Sequence, residues 1–298
     1  MKRFISALIF GMLMVGCHQA EDTSGDVMLG TASPSEAGLH ADSLAAITDF
    51  LTASVDSNKI PGAVAMIVTD GAVVYKEAVG MADIEQGIKM DAGQVFRLAS
   101  MTKPVTSVAI LMLDERDSLS INDPVSEYIP EFGDVRVLKS VDMSDTTWTS
   151  EPLDIPLTIH HLLTHTSGIA YGFTDDELGP IYAKGEVPDG TVMDGRTIEE
   201  SMAALGNLPL KHQPGDRWTY GLSTDVLGRI VEVASGQPLD QFFREEIFGP
   251  LGMDSTGFNL PDDLDDELAA LYRNNEQHSL QRVSQLSIRE RDSMNVGG

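Results

Sequence analysis

The sequence is poor in cysteine and in basic residues, and each shortage excludes a class of structure or function. Cys17 is the single cysteine, so no disulfide can form within the chain. Only 20 Lys and Arg residues stand against 46 Asp and Glu residues. The basic residues form no cluster, and nucleic-acid binding needs clustered positive charge. DNA and RNA are therefore excluded as partners, while the net charge of −26 says nothing about a reaction.

Long hydrophobic runs are also scarce, and the one at the N-terminus is short. It consists of 13 uncharged, mostly apolar residues, FISALIFGMLMVG, and follows the basic start MKR. As a helix it would extend about 20 Å, too short for a bilayer core of about 30 Å. The run therefore indicates a signal peptide rather than a transmembrane helix.

The segment that ends at Cys17, LMVGC, resembles a bacterial lipobox. The resemblance implies cleavage before Cys17 and acylation of its thiol, so the membrane is expected as a partner only through this lipid anchor. We expect a signal peptide over residues 1–17, a flexible tether over 18–37 and a folded domain over 38–298, exported and facing the periplasm. The alternative is an ordinary secreted protein in which Cys17 is incidental.

The rest of the chain predicts one hairpin followed mostly by helices. Apolar residues recur at helical spacing within residues 38–60, and residues 61–80 are typical of two strands joined by a tight turn. Helices are expected from Ser100 to about Glu115 and, with a break, over 223–253. Residues 171–197, rich in Gly, Asp and Pro, are expected to form a loop. Because strands and helices do not alternate, the pattern predicts an α+β fold.

Ser100 and Lys103 lie three residues apart at the start of an apolar helical stretch, in FRLASMTKPVT. Residues at this spacing share one face of a helix. A serine hydroxyl becomes a nucleophile when a base takes its proton, and a lysine amine can do so if its surroundings lower its pKa enough. The spacing therefore allows a nucleophile and its base. On its own, however, the four-residue pattern favours the alternative, an N-capping serine followed by a solvated lysine.

Several segments together resemble the serine β-lactamase and penicillin-binding-protein superfamily, in its class C-like branch with the family VIII esterases and D-aminopeptidases. These segments are FRLASMTKPVT (96–106), LLTHTSGI (162–169), PGDRWTYGLSTDVLGRIVEVASGQPL (214–239) and IFGPLGMDSTGF (247–258). The resemblance covers about residues 40 to 298. It implies the β-lactamase/transpeptidase-like fold, in which an antiparallel sheet is flanked by helices and accompanied by an all-helical region.

The resemblance also assigns roles to three side chains: Ser100 as nucleophile, Lys103 as base, and Tyr220, in WTYGLS, as the group that relays a proton to the leaving group. No cofactor is implied. Gly221 and Leu222 stand where penicillin-active members often have a small residue and then Asn. The missing amide favours an esterase or another acyl hydrolase over a β-lactamase. Without the family resemblance, the sequence would suggest only that Tyr220 is a buried aromatic residue.

His161 and His165 are four residues apart, the spacing that a helical metal pair would use. No carboxylate lies between them and no third ligand is indicated, so no metal site is expected. By the resemblance, His165 is structural and holds the loop beneath the site. Trp218 is expected to lie in the core or in a pocket wall.

The family's third element has no counterpart in this sequence. Members carry Lys-Thr-Gly, His-x-Gly or Trp-x-Gly on a later strand that supplies an oxyanion donor, and no such triplet follows Tyr220. We therefore expect that the C-terminal strands are missing and that the chain is truncated. The expected partner is a small-molecule or peptide-like substrate. A non-catalytic envelope binding protein on a degraded hydrolase scaffold and a D-Ala-D-Ala carboxypeptidase remain the alternatives.

Overall fold

The structure is a computed structural model that describes most of the chain after its N-terminal segment. The described residues are 29–188, 196–260, 264, 267–275 and 279–283. The predicted signal peptide and its acylation site, Cys17, lie outside them. Within the described ranges, no helix combines the length and the apolar character needed to cross a membrane. The prediction of a lipid anchor therefore rests on the sequence alone.

A sheet lies at the N-terminal end of the described chain. Its strands are β1 (Gly30–Thr31), β2 (Gly62–Thr69), β3 (Ala72–Asp83) and β4 (Ile88–Lys89). The order is β1-β3-β2, and β4 also pairs with β3; β2 and β4 run antiparallel to β3, whereas β1 runs parallel to it. The hairpin predicted over 61–80 is confirmed, since Asp70 and Gly71 both adopt positive φ in its turn. β1 lies inside the predicted 18–37 tether and joins that segment to the sheet.

Seven α-helices are described. They are α1 (Ala41–Asp56), α2 (Thr102–Glu115), α3 (Ile159–Leu163), α4 (Leu178–Lys184), α5 (Ile198–Gly206), α6 (Ser223–Ser235) and α7 (Leu239–Phe243). The predicted break in the 223–253 helix is confirmed, because Gly236 ends α6 in the left-handed conformation at φ +71°. A π-helical turn, Arg244–Phe248, follows α7.

The loop predicted over 171–197 is partly wrong. It contains a 3-10 turn, Gly172–Thr174, and helix α4. Leu178 and Ile181 on α4 are fully buried, and this burial outweighs the Gly and Pro content that suggested a loop. Residues 189–195 of the segment lie outside the described residues.

Two further hairpins were not predicted. β5 (Val137–Asp142) pairs with β6 (Thr147–Glu151), and β7 (Tyr272–Asn274) pairs with β8 (Leu280–Arg282). Short 3-10 turns follow α2, at Val125–Glu127 and Pro130–Asp134.

The helical region contains the main hydrophobic core. α2 packs against α6, and both helices contribute fully buried residues, such as Ile110 and Ile230. In its first two turns α6 is buried on every side, from Ser223 to Gly228. The predicted α+β class, with helices flanking the sheet and a separate helical region, is confirmed. The buried contact between α2 and α6 holds the two segments that carry the predicted catalytic side chains.

Candidate active site

Ser100 lies at the junction between a 3-10 turn, Ala99–Met101, and α2. Ala99, directly before it, adopts φ +44°, a left-handed conformation that costs a non-glycine residue on the order of 1–3 kcal/mol. Lys103 follows within the first turn of α2, and its Nζ lies 3.4 Å from Ser100 Oγ. The structure therefore brings together the two side chains that the sequence spacing paired.

Tyr220 completes the cluster from a distant part of the chain. Its hydroxyl donates a hydrogen bond of 2.9 Å to Ser100 Oγ across a separation of 120 residues. Ser100 Oγ thus accepts hydrogen bonds from both Tyr220 and Lys103. All three predicted catalytic residues lie at one point of the fold, and their catalytic roles remain predictions.

Backbone hydrogen bonds fix the segment that carries Tyr220. Thr219 N donates to His165 O at 2.8 Å, and Gly215 N donates to Thr166 O at the same distance. These bonds attach the residues before Tyr220 to the segment that follows α3. The HTSGI and WTYGLS segments, which are about 50 residues apart in the sequence, are therefore neighbours in space.

Gly221 brings the backbone after Tyr220 against that same segment. A Cβ at position 221 would lie 2.5 Å from Ala170 Cα and 2.5 Å from Ile169 O, far inside van der Waals contact. Beneath this contact, Ser223 Oγ and Ser167 Oγ share a buried hydrogen bond of 2.8 Å. Only glycine permits this approach, so Gly221 has a packing reason that is independent of substrate.

Tyr171 is a site residue that sequence reasoning missed. Lys103 Nζ donates a hydrogen bond of 3.1 Å to its hydroxyl, and the rings of Tyr171 and Tyr220 meet edge to face, with centroids 5.5 Å apart. Burial is the largest influence on the Tyr171 phenol and raises its pKa. Tyr171 therefore stays a neutral acceptor for Lys103. Its position two residues after the LLTHTSGI motif was the available signal.

Lys103 is buried, with 8% of its surface exposed. Burial is the largest single effect on its amine and lowers the pKa, but the hydrogen bond to Tyr171 and the charges of Tyr171, Asp225 and Tyr220 together raise it above its usual range. The condition under which Lys103 would be neutral, a pKa lowered by its surroundings, is not met here, because its buried neighbours favour the ammonium form. Lys103 must therefore lose a proton before it can accept one from Ser100.

Asp225 was also missed. It lies in the first turn of α6 and is 2% exposed. Burial raises the pKa of its carboxyl to about 7, against the opposing effect of the Lys103 charge. No hydrogen-bond donor in the described part of the chain reaches Oδ2. Because the first turns of α6 are buried on every side, no amphipathic pattern in the sequence marks Asp225 as different from a core residue.

His165 supports Tyr220 through its ring and its backbone. The ring centroids lie 5.1 Å apart, and His165 O accepts the hydrogen bond from Thr219. Burial, followed by the Lys103 charge, lowers the pKa of His165, so the imidazole is neutral near pH 7.

His161 does not contribute to the site, since its Nδ1 accepts the backbone N–H of Thr158 at the start of α3. The described ranges contain no group of three His, Cys, Asp or Glu side chains able to hold a metal ion.

Three large apolar side chains surround the cluster at the surface. Met101, Phe173 and Trp218, here called the apolar rim, are 68%, 63% and 65% exposed. Phe173 stacks on Tyr171 at 5.0 Å, and Trp218 stacks on Tyr220 at 5.8 Å. Phe173 and Trp218 are therefore attached to the two tyrosines that contact Lys103 and Ser100, and Met101 directly follows Ser100 in the chain.

Comparison with known proteins gives consistent matches. The profile of the beta-lactamase family matches residues 47–287. Esterase EstB of Burkholderia gladioli is 38% identical over 226 residues, which are 76% of this chain and 54% of that protein. Lovastatin esterase of Penicillium rubens is 35% identical over 210 residues, 69% of this chain and 51% of that protein.

Solved structures agree with the sequence matches. The structure of EstCE1, described as a hydrolase with promiscuous acyltransferase activity, superposes with a TM-score of 0.70 at 31% identity and covers 81% of this chain and 59% of that one. The present chain spans about half the length of the curated relatives it matches. The expectation that C-terminal strands are missing stays a prediction.

Proposed function

Because the chain belongs to the beta-lactamase family, we propose that it is a serine hydrolase that cleaves esters through an acyl-enzyme. One observation carries the proposal: Ser100 Oγ lies 3.4 Å from Lys103 Nζ and 2.9 Å from Tyr220 OH. A hydroxyl in contact with two proton-transfer groups, at the N-terminal end of a 14-residue helix, has the surroundings that a nucleophile needs.

The proposed reaction transfers an acyl group twice. Neutral Lys103 takes the proton of Ser100 as Oγ bonds to the ester carbonyl carbon, and the carbonyl becomes a tetrahedral oxyanion. When the oxyanion collapses, the C–O bond to the alcohol breaks, and Tyr220 donates the proton that the leaving oxygen needs; Lys103 then reprotonates Tyr220. Water repeats the attack on the acyl-enzyme and releases the acid. The scheme needs no cofactor and no metal.

Ester substrates are favoured by the residues that follow Tyr220. Position 222 is a leucine, which is 1% exposed and belongs to the core. It therefore offers a substrate no side-chain amide of the kind that Asn would supply. The exposed apolar rim, in contrast, offers hydrophobic surface beside Ser100. The names of two relatives, esterase EstB and lovastatin esterase, also favour ester cleavage. We infer that the substrate is an ester with a sizeable apolar group.

Hydrolysis assays on the full chain test the proposal and its alternatives. We expect turnover of p-nitrophenyl butyrate, little or none of a chromogenic cephalosporin or of an acyl-D-Ala-D-Ala peptide, and complete loss in Ser100→Ala. Ser118→Ala, which removes an exposed hydroxyl at a distance from the site, is the matched control. Release of D-Ala with no ester turnover would favour the carboxypeptidase, and no turnover of any substrate by a folded chain would favour the binding protein.

We further propose export and lipid anchoring through Cys17, on the strength of the MKR start, the apolar run and the LMVGC segment. Metabolic labelling with a fatty-acid analogue in a bacterial host tests this proposal. The label should enter the wild-type chain and be absent from Cys17→Ser. Equal labelling of both chains would contradict the lipid anchor.

A further inference from the structure

The proposed reaction leaves one buried ionisable group at the site without a role. Asp225 is almost completely buried, and its Oδ2 finds no donor among the described residues. An unpaired buried carboxylate is costly, so its presence calls for a compensating interaction. The one hydrogen bond that favours its ionised form comes from its own backbone.

The ionisable groups that interact with Asp225 all belong to the catalytic cluster. Burial raises the pKa of Asp225, and the charge of Lys103 on α2 lowers it. The charges of Asp225 and Lys103 both affect the pKa of Tyr171, which lies in the segment after α3. The charge of Tyr220, just before α6, raises the pKa of Lys103, and the charge of Lys103 lowers the pKa of His165. The geometry agrees with this coupling, since Lys103 on α2 and Asp225 on α6 are both buried and the two helices pack against each other.

We propose that Asp225 is a positioning residue that acts through Lys103: its buried carboxylate stabilises the Lys103 ammonium and thereby sets the pH at which Ser100 becomes nucleophilic. The inference rests on the proposed function in one respect, since it takes Lys103 as the proton acceptor. Asp225 makes no bond to substrate and passes on no proton. Its effect is electrostatic, carried through a buried region where charges are poorly screened.

The expected consequence is a shift along the pH axis. An opposite charge at close range raises the pKa of an ammonium by about 1–3 units. In Asp225→Asn that charge is gone while the shape is kept, so Lys103 loses its proton at lower pH. The rate of Ser100 modification, which requires neutral Lys103, should then reach its plateau at lower pH than in the wild type.

The experiment follows the second-order rate of fluorophosphonate labelling of the full chain between about pH 7 and pH 11.5, because the pKa of Lys103 is raised above its usual range and the midpoint must fall inside the window. Wild type, Asp225→Asn and the control Asp216→Asn are compared, the last of which removes an exposed carboxylate four residues before Tyr220. We expect the midpoint of Asp225→Asn to move down by about one unit or more, and that of Asp216→Asn to stay in place. A midpoint that is unchanged in Asp225→Asn, whatever the change in maximal rate, would overturn the inference.

Failure of the inference is distinguishable from failure of the proposed function. Absence of labelling in the wild type at every pH would reject the proposed function, whereas labelling with an unshifted midpoint rejects the role of Asp225 alone. If Asp225→Asn does not fold, Asp225→Ser removes the same charge with a smaller side chain and is read in the same way.

Discussion

Gly221 packs against the backbone of Ala170 so closely that no side chain fits between them. This contact places Tyr220, one residue before Gly221, beside Tyr171, one residue after Ala170, and the two tyrosine rings meet edge to face. Their hydroxyls in turn contact Ser100 and Lys103. The site geometry therefore depends on a backbone approach as much as on the catalytic side chains.

Gly221→Ala should destabilise the protein and misplace Tyr220. The added Cβ would meet Ala170 Cα at 2.5 Å, and overpacking of this kind costs about 1–3 kcal/mol. Chemical denaturation and the rate of ester hydrolysis measure the two effects. Gly133→Ala is the matched control, because its Cβ would find the nearest atom at an ordinary 3.8 Å. Equal stability of the two variants would contradict the packing role.

Tyr220→Phe should slow hydrolysis by about 10²- to 10⁴-fold, because it removes the hydroxyl that donates to Ser100 and protonates the leaving group. The kinetic constant kcat is the relevant measurement. Tyr75→Phe makes the same chemical change at a hydroxyl that bonds to Thr48, away from the site, and should leave kcat unchanged. A Tyr220→Phe enzyme with wild-type kcat would exclude Tyr220 from proton transfer.

Trp218→Ala should weaken the preference for esters with long apolar groups. Trp218 is 65% exposed and stacks on Tyr220, so a bound substituent would cover it. Each buried methylene contributes about 0.8 kcal/mol, so the loss of contact with two of them lowers kcat/KM about tenfold. The ratio of kcat/KM for hexanoate and acetate esters measures the effect. The control Trp148→Ala, on β6, should preserve the ratio. An equal fall of the ratio in both variants would contradict the role of the apolar rim in substrate binding.

Asp225 should make folding stability fall as pH rises. The pKa of its carboxyl is raised from 3.8 to about 7 on folding, so the folded state holds a proton that the unfolded state releases. Stability from this group is complete below the unfolded pKa and is lost between about pH 4 and pH 7. The stability of Asp225→Asn relative to wild type should therefore rise between about pH 4 and pH 7 and level off above that range, as measured by denaturation at each pH. A difference that is independent of pH would contradict this expectation.

Local spacing placed Ser100 and Lys103 on one face of a helix, because a separation of three residues has the same meaning in any helix, but their catalytic roles followed from the family resemblance. The pairing of Tyr220 with Ser100, 120 residues away, followed from the family resemblance and not from periodicity. Tyr171 and Asp225 escaped notice because their significance arises from contacts between separate segments. Lys103 shows the same limit, since its pKa depends on neighbours that the sequence does not place beside it.

Secondary structure was predictable where periodicity and turn residues agreed, as in β2, β3 and α6. It failed over α4, where Gly179 and Pro180 lie inside a helix stabilised by the burial of Leu178 and Ile181. The β5–β6 hairpin was missed because its strands are largely exposed and polar, so they lack the alternation of a half-buried strand.

The most direct test of the account is the intact mass of the full chain after treatment with a fluorophosphonate, followed by peptide mapping. We predict a single adduct on the wild type, located at Ser100, and none on Ser100→Ala of equal folded content. A folded wild-type chain that takes up no adduct, or an adduct that persists in Ser100→Ala, would contradict the assignment of Ser100 as the nucleophile.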